Sequence, residues 1–164
     1  MKTISYSSPL GQLEITSLNN YITSIKFLEQ AEELPASIQE MNEVLVLCCE
    51  QLNEYFEGKR KEFTFPIHQG GTDFQRNVWD QLLTIPYGKT ITYADLAKRL
   101  GDIKKIRAVG TTNGKNNLAI VVPCHRVIGS NNHLTGYAGG LWRKQWLLDH
   151  ETKYSHGVQQ LKLI

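Results

Sequence analysis

A cysteine followed directly by a histidine and an arginine forms the segment of this sequence best suited to chemistry, Pro123-Cys124-His125-Arg126-Val127. A thiolate is a strong nucleophile, but a thiol needs a base or a positive neighbour to ionise near neutral pH. His125 and Arg126 both adjoin the cysteine, which is typical of nucleophilic catalysis. The alternative is a buried structural cysteine beside a surface histidine, which would be favoured for an isolated Cys-His pair because free cysteine is commonly buried.

The residues before the cysteine indicate how it is held. Residues 118–122 form a continuous apolar run, which predicts a short buried strand that ends at Cys124. Strand ends that open into loops commonly carry catalytic groups. We therefore expect Cys124 to sit on a fixed piece of backbone.

The motifs around this segment resemble those of the O6-alkylguanine-DNA alkyltransferases, the suicide methyltransferases of DNA repair. The resemblance is dense over residues 72–151 and weaker before them, where it covers residues 9–11 and 22–27. Besides Pro123–Val127, the matching motifs are Thr72-Asp73-Phe74-Gln75, Val78-Trp79, Ile85-Pro86-Tyr87-Gly88-Lys89-Thr90, Tyr93-Ala94-Asp95-Leu96-Ala97, Arg107-Ala108-Val109-Gly110, Asn116, Gly129-Ser130, Gly136-Tyr137-Ala138-Gly139-Gly140 and Leu147-Leu148-Asp149-His150-Glu151. The resemblance implies direct transfer of the alkyl group from O6-methylguanine, and also from O4-methylthymine, to Cys124, which inactivates the protein.

The same resemblance implies four catalytic residues. Cys124 is the expected methyl acceptor, and His125 the base that withdraws its proton through a water molecule. Glu151 is expected to orient the histidine, although a solvated carboxylate at a helix end is the alternative. Asn116 is expected to brace the active-site turn, and its alternative is an ordinary loop asparagine.

A base inside duplex DNA must be rotated out before a thiolate can reach it. The resemblance gives Arg107 the role of filling the gap and Tyr93 that of turning the phosphate and then contacting the departing guanine. It places Ala94 and Ser130 at the DNA. The alternatives are a phosphate-binding surface arginine and an aromatic residue that staples a helix start. The segment 127–140 is expected to form the pocket for the flipped base, with Val127, Tyr137, Ala138 and Gly139 lining it together with Tyr93.

Composition limits the classes of protein that fit the 164 residues. Residues 1–66 contain 5 Lys and Arg against 10 Asp and Glu, whereas residues 67–164 contain 13 against 6. The basic part holds every candidate motif, which favours a face for nucleic acid, although ordinary solvated surfaces are the alternative. The three cysteines are predicted to be reduced thiols, and no ligand spacing predicts a metal or cofactor. With no signal peptide and no membrane span, we expect a cytoplasmic monomer whose partner is the minor groove of alkylated duplex DNA.

Hydrophobic patterning predicts an α+β protein in two domains, 1–68 and 69–164. The first domain is predicted to be a small antiparallel sheet of three strands followed by a helix, which a capping box at Ser37–Glu40 opens and which runs to about Glu57. The second is predicted to be mostly helical. A helix opens at Thr72, a helix-turn-helix follows from residues 92–100 and 104–113, and the last helix covers about 140–150.

Two other functional classes fit parts of the sequence. A damage sensor on the same scaffold would bind alkylated DNA without transfer, but the retained Cys124 argues against it. A cysteine hydrolase would use Cys124 and His125 repeatedly, but would not explain the helix-turn-helix or the basic part. The chain also departs from the family pattern at Asn117, where a proline is usual, and this departure concerns the rigidity of the turn.

Overall fold

The computed structural model describes residues 1–29 and 41–162. The chain forms two compact units, one of residues 1–70 with 117–121 and the other of residues 71–116 with 122–164. The segment 117–121 thus belongs with the first unit although it lies between two parts of the second. Among the described residues, no helix combines the length and apolar character that crossing a membrane requires.

The first unit is a three-stranded antiparallel sheet with one helix. Strands β1 (Lys2–Ser8), β2 (Gly11–Leu18) and β3 (Tyr21–Phe27) pair in sequence order. The β2–β3 turn places Asn19 and Asn20 at φ values of 51° and 67°, a conformation that asparagine tolerates better than most residues. Helix α1 (Glu43–Phe56) buries its apolar side, which includes Cys48. Asn42 caps this helix by accepting from the backbone N–H of Leu45, while the capping box predicted at 37–40 lies outside the described residues.

The apolar run before the cysteine is a buried turn, so the predicted strand is wrong. Only Leu118 pairs with the sheet, through a single bridge to Ile25, and Ile120 has a φ of 73°. The backbone N–H of Val121 donates to Ala119 O at 2.8 Å, which folds the run back on itself. All five residues are buried, and burial explains the apolar character without an extended backbone.

The second unit is mostly helical. It contains α2 (Asp73–Leu82), β4 (Ile91–Thr92), α3 (Tyr93–Arg99), α4 (Ile106–Gly114), β5 (Val127–Ile128) and α5 (Leu141–Lys162), and β4 pairs with β5 in parallel. A capping box forms at each of two predicted helix starts, Thr72 with Gln75 and Thr92 with Asp95. The predicted helix-turn-helix consists of α3 and α4, which are joined through Gly101 and a 3-10 turn at Ile103–Lys105. The predicted fold class is confirmed.

Helix α5 is longer than predicted, because it continues past Glu151 to Lys162. No proline interrupts the sequence there, and aromatic side chains spaced four residues apart lie against one another along the helix. The ring centroids of Trp146 and His150 lie 4.7 Å apart, and those of His150 and Tyr154 lie 4.8 Å apart. The prediction ended at the last family motif, whereas the helix itself has no stop signal at that point.

Candidate active site

Cys124 begins a single 3-10 turn that leads into β5. Its backbone N–H donates to Val122 O at 2.8 Å, and the N–H of Arg126 donates to Pro123 O at 3.0 Å. The side-chain amide of Asn116 donates to the same Val122 oxygen at 2.8 Å. Asn116 therefore fixes the backbone immediately before the cysteine, in the position where the sequence predicts a brace.

His125 and Glu151 are 26 residues apart in sequence and in direct contact in the fold. The His125 Nε2 atom lies 2.7 Å from Glu151 Oε2, and both side chains are essentially inaccessible to solvent. The other ring nitrogen, Nδ1, is buried and has no hydrogen-bond partner among the described residues. Because Nε2 is held by the carboxylate, Nδ1 is the nitrogen that can exchange a proton with another group.

Arg126 holds the same carboxylate from the other side. Its Nε donates to Glu151 Oε1 at 2.7 Å and its Nη2 to Oε2 at 3.1 Å, the paired geometry that guanidinium and carboxylate favour. Its Nη1 donates to the backbone oxygen of Ile85 at 2.7 Å, and the backbone N–H of Gly88 reaches Glu151 Oε1 at 3.4 Å. Burial alone would raise the pKa of Glu151, but the charge and hydrogen bond of His125, with those of Arg126, hold it well below its ordinary value. The carboxylate therefore stays ionised at neutral pH.

A buried lysine adds positive charge to the surroundings of the thiol. Burial raises the pKa of Cys124, whereas a hydrogen bond with Asn116 and the charge of Lys144 act in the opposite direction. Lys144 is fully buried and donates from Nζ to Thr135 O at 2.9 Å. Burial lowers its pKa to about 8, so the ammonium form still predominates at neutral pH. The charge on Lys144 therefore favours the thiolate form of Cys124.

Tyr93 lies beside this lysine at the first position of α3. Its ring centroid is 5.8 Å from Lys144 Nζ, and its hydroxyl donates to Thr135 O at 3.5 Å. Burial raises its pKa, hydrogen bonding with Thr135 and Asn113 acts against that rise, and the proximity of Cys124 adds to it. Tyr93 is therefore close enough to Cys124 for the two groups to interact electrostatically.

The predicted pocket residues differ in their exposure. Val127 is buried in β5, Tyr137 is half-buried, Ala138 is exposed, and Gly139 is buried with its oxygen accepting from Arg143 Nη1 at 2.8 Å. Burial raises the pKa of Tyr137 well above its ordinary value, and the negative charge of Cys124 contributes in the same direction. Tyr137 is thus electrostatically coupled to the thiol.

Of the other residues predicted to contact DNA, two are exposed and one is half-buried. Arg107 is exposed at the second position of α4, and Ser130 is exposed where a third 3-10 turn, Ser130–Asn132, begins. Ala94 is half-buried on α3. The exposed residues Lys104 and Lys105 precede α4, so the start of this helix carries a cluster of positive charge.

Three contributors to the site escaped the sequence analysis. Arg126 was noticed only as a positive neighbour of the cysteine, yet its guanidinium holds Glu151. Lys144 lies in the polar stretch Arg143-Lys144-Gln145 at the start of a helix and resembles a solvated residue. Asn113, at the end of α4, donates from Nδ2 to Cys124 O at 3.3 Å. For Lys144 and Asn113, the sequence offered only nearby family motifs, Gly136–Gly140 and Arg107–Gly110, and no signal at the residues themselves.

Comparison with known proteins gives consistent matches for both units. Residues 1–69 match the ribonuclease-like domain of 6-O-methylguanine DNA methyltransferase, and residues 73–153 match its DNA binding domain. A methylated-DNA–protein-cysteine methyltransferase of Mycobacterium tuberculosis is 44% identical over 88% of each chain. The constitutive one of Bacillus subtilis is 47% identical over 80% of this chain and 83% of its own.

The fold is similar to that of a solved relative. The crystal structure of Mycobacterium tuberculosis OGT in complex with DNA superposes with a TM-score of 0.83 at 41% identity, over 93% of each chain. An O6-methylguanine DNA methyltransferase from Methanococcus jannaschii superposes with a TM-score of 0.70 at 26% identity, over 91% of this chain.

Proposed function

Because this chain belongs to the 6-O-methylguanine DNA methyltransferase family, we propose that Cys124 takes the alkyl group from O6-methylguanine in duplex DNA. The protein is a methylated-DNA–protein-cysteine methyltransferase, which repairs DNA by transfer to its own cysteine. The sulfur forms a bond to the methyl carbon as the carbon–O6 bond breaks, the electron pair of that bond stays on guanine, and guanine takes up a proton at N1 and leaves unmodified. The thioether cannot be cleaved again by the same site, so each chain reacts once. The observation that carries the assignment is the buried contact of His125 with Glu151 directly beside Cys124.

The thiol loses its proton to His125 in this proposal. The two side chains are neighbours in sequence, so a water molecule carries the proton from sulfur to Nδ1. Glu151 holds the ring through Nε2 and stabilises the imidazolium that forms. Arg126 keeps Glu151 ionised and in place, and Lys144 stabilises the thiolate. Each of these charges lies in a buried environment, where its effect on the thiol is larger than in water.

The flipped base is proposed to enter beside Tyr93 and the segment 127–140. Val127, Tyr137, Ala138 and Gly139 would surround it, and the Tyr93 hydroxyl would donate a hydrogen bond to guanine as it leaves. O4-methylthymine is proposed as a second substrate of the same pocket. Asn116 keeps the turn before Cys124 fixed through its bond to Val122, so that the sulfur meets the alkyl carbon in line with the bond that breaks.

DNA is proposed to bind through the helix-turn-helix at its minor groove. Arg107 would fill the space that the flipped base leaves, with Ala94 and Ser130 against the duplex. Lys104 and Lys105 precede the same helix and are exposed, which suits phosphate contacts that carry no sequence information. A repair protein must search every sequence, so binding of this kind fits its task.

Replacing Arg107 by alanine is expected to slow repair in duplex DNA by about 100-fold, while reaction with free O6-benzylguanine changes less than about threefold. Rotating a base out of the stack costs a few kcal/mol, and the free base has no stack to leave. Single-turnover kinetics with both substrates measure the difference, and Lys98→Ala, on the preceding helix, is a matched surface control. Equal losses on the two substrates would show that Arg107 has only a structural role.

The proposed reaction allows each protein chain to accept one methyl group. Incubation with duplex DNA that carries a labelled methyl group on O6 of guanine is expected to label the protein at one methyl per chain, and peptide mapping should locate the label on Cys124. Absence of label with retained DNA binding would indicate a damage sensor. Label released over many turnovers would indicate a hydrolase. Either of these results contradicts the proposal.

The two predicted domains are proposed to have different roles. Residues 69–164 contain every residue proposed to touch DNA, alkyl group or proton, whereas residues 1–68 are proposed to support them. The acidic excess of the first 66 residues fits a part that does not face DNA. We place the protein in the cytoplasm as a monomer, where it has access to chromosomal DNA.

A further inference from the structure

Asn117 begins the segment 117–121, which belongs to the first unit although the chain on both sides of it belongs to the second. Its backbone oxygen accepts from the N–H of Ile25 on β3 at 2.8 Å, and the N–H of Ala119 donates to Ile25 O at 3.1 Å. The edge of β3 that does not pair with β2 therefore holds the start of the chain that leads to Cys124.

The backbone N–H of Asn117 is held by a side chain, that of Gln69. The N–H donates to Gln69 Oε1 at 2.6 Å, and Gln69 is half-buried. Gln69 follows a segment that pairs with β3 around Ile22, where the N–H of Ile22 donates to Pro66 O and the N–H of His68 donates to Ile22 O, both at 3.0 Å. Two segments that are distant in sequence thus lie in succession along one edge of β3, and Gln69 joins them.

The turn that leads to Cys124 contains a strained residue. Ile120 has a φ of 73°, which a β-branched residue rarely adopts and which persists only where the surrounding contacts enforce it. The backbone is held after this residue, because Val122 O accepts from the side chain of Asn116 and from the N–H of Cys124, each at 2.8 Å. Before it, the bonds made by the N–H and the oxygen of Asn117 hold the backbone.

A hydrogen bond from this N–H requires that residue 117 is not proline. Proline, which is usual at this position in the family, has no N–H and restrains φ through its ring. Asparagine leaves φ unrestrained, and the bond to Gln69 holds the same backbone group from outside. In this chain a hydrogen bond thus takes the place of a covalent restraint.

We propose that Gln69 is a positioning residue for alkyl transfer, which fixes the turn that presents Cys124 by holding the N–H of Asn117. A small displacement of a reacting atom lowers the rate of transfer, so restraint of this turn acts on the reaction. Gln69 belongs to the first unit, which in this proposal takes part in the reaction without touching DNA or the alkyl group. The inference rests on the proposed function and deepens it.

The test measures single-turnover transfer from duplex DNA with O6-methylguanine, as the limiting rate at saturating DNA and as the DNA concentration that gives half of that rate. Gln69→Ala is expected to lower the limiting rate about fivefold, the effect of one hydrogen bond, and to leave the half-saturating concentration unchanged. Gln69→Glu keeps an acceptor oxygen and is expected to retain the rate within about twofold. Gln12→Ala, which removes a glutamine with side-chain hydrogen bonds on β2, is the matched control and should change neither quantity.

Asn117→Pro provides a background in which Gln69 has no N–H to hold, because the proline ring restrains φ. In that background Gln69→Ala is expected to slow transfer by less than about twofold, since the bond that it removes is already absent. A purely structural role of Gln69 would lower the rate in both backgrounds. Hydrogen exchange of the Asn117 amide gives a second readout and is expected to be faster in Gln69→Ala than in the unmodified protein.

Equal slowing by Gln69→Ala in both backgrounds overturns the inference, as does an unchanged limiting rate, a Gln69→Glu protein as slow as Gln69→Ala, or an Asn117 amide that exchanges no faster. If Asn117→Pro does not fold, the glutamate variant and the amide exchange decide the question. These results leave the proposed function intact, because one methyl group still reaches Cys124. Failure of the unmodified protein to transfer contradicts the proposed function itself.

Discussion

Replacing Cys124 by serine is expected to abolish methyl transfer and to leave DNA binding unchanged. A hydroxyl is far less acidic than a thiol, so neither His125 nor Lys144 can generate the anion near neutral pH. The proposed DNA contacts come from α3, α4 and the turn that begins at Ser130, and the substitution only replaces a buried sulfur atom with oxygen. Uptake of labelled methyl and affinity for duplex DNA are the two measurements.

Cys49→Ser is the matched control for this change, because it makes the same substitution at a half-buried position. Burial raises the pKa of Cys49 to about 11 and that of Cys48 still further, so neither is a competing nucleophile. The control is expected to retain one methyl per chain. Transfer by the Cys124→Ser protein would remove Cys124 from the mechanism, whereas loss of transfer in a folded Cys49→Ser protein would show that the pair on α1 takes part.

Local sequence signals predicted the local structure well. The capping boxes at Thr72 and Thr92 need only residues three positions apart, and a helix starts at each position as predicted. The Asn19-Asn20 turn likewise depends on what two residues tolerate at positive φ. These features depend little on the rest of the chain, so they can be derived without knowing the fold.

The predictions failed where the apolar pattern shows that residues are buried but does not determine their backbone conformation. Residues 118–122 are apolar because they are buried, but their backbone turns back at Ile120 instead of extending. The end of α5 was placed at the last family motif, whereas the helix continues to Lys162 and Tyr154 contacts His150 beyond that motif. Apolar periodicity reports which residues leave water and says less about the path that the chain takes.

The residues of the site likewise fall into those that the sequence predicted and those that it did not. The contact of His125 with Glu151 spans 26 residues, and only the family resemblance led to its expectation. Lys144 and Asn113 have no such signal, because a lysine and an asparagine on helices are ordinarily solvated. Their importance arises from burial beside Cys124, which depends on how the helices pack.

The contact of Arg126 with Glu151 is a buried ion pair. Arg126→Met is expected to destabilise the protein by about 3–5 kcal/mol, because removing one partner leaves a buried charge uncompensated. The loss includes the bond from Nη1 to Ile85 O, which no methionine can replace. Because the pKa of Glu151 is depressed in the fold, its contribution is present above the unfolded value of about 4.3 and is lost as the pH falls below it.

The double variant Arg126→Met/Glu151→Gln separates stability from catalysis. Removing the charge from both partners is expected to recover more than half of the lost stability, since a neutral amide is cheaper to bury than an unpaired carboxylate. Transfer is expected to stay at least about 100-fold slow, because His125 then has no anion to hold its ring and stabilise its charge. Urea unfolding at pH 7 and single-turnover transfer are the measurements.

A double variant as unstable as Arg126→Met alone would mean that the loss of stability comes from packing around the arginine and not from the buried charge. One that regains both stability and transfer would show that His125 works without an anion.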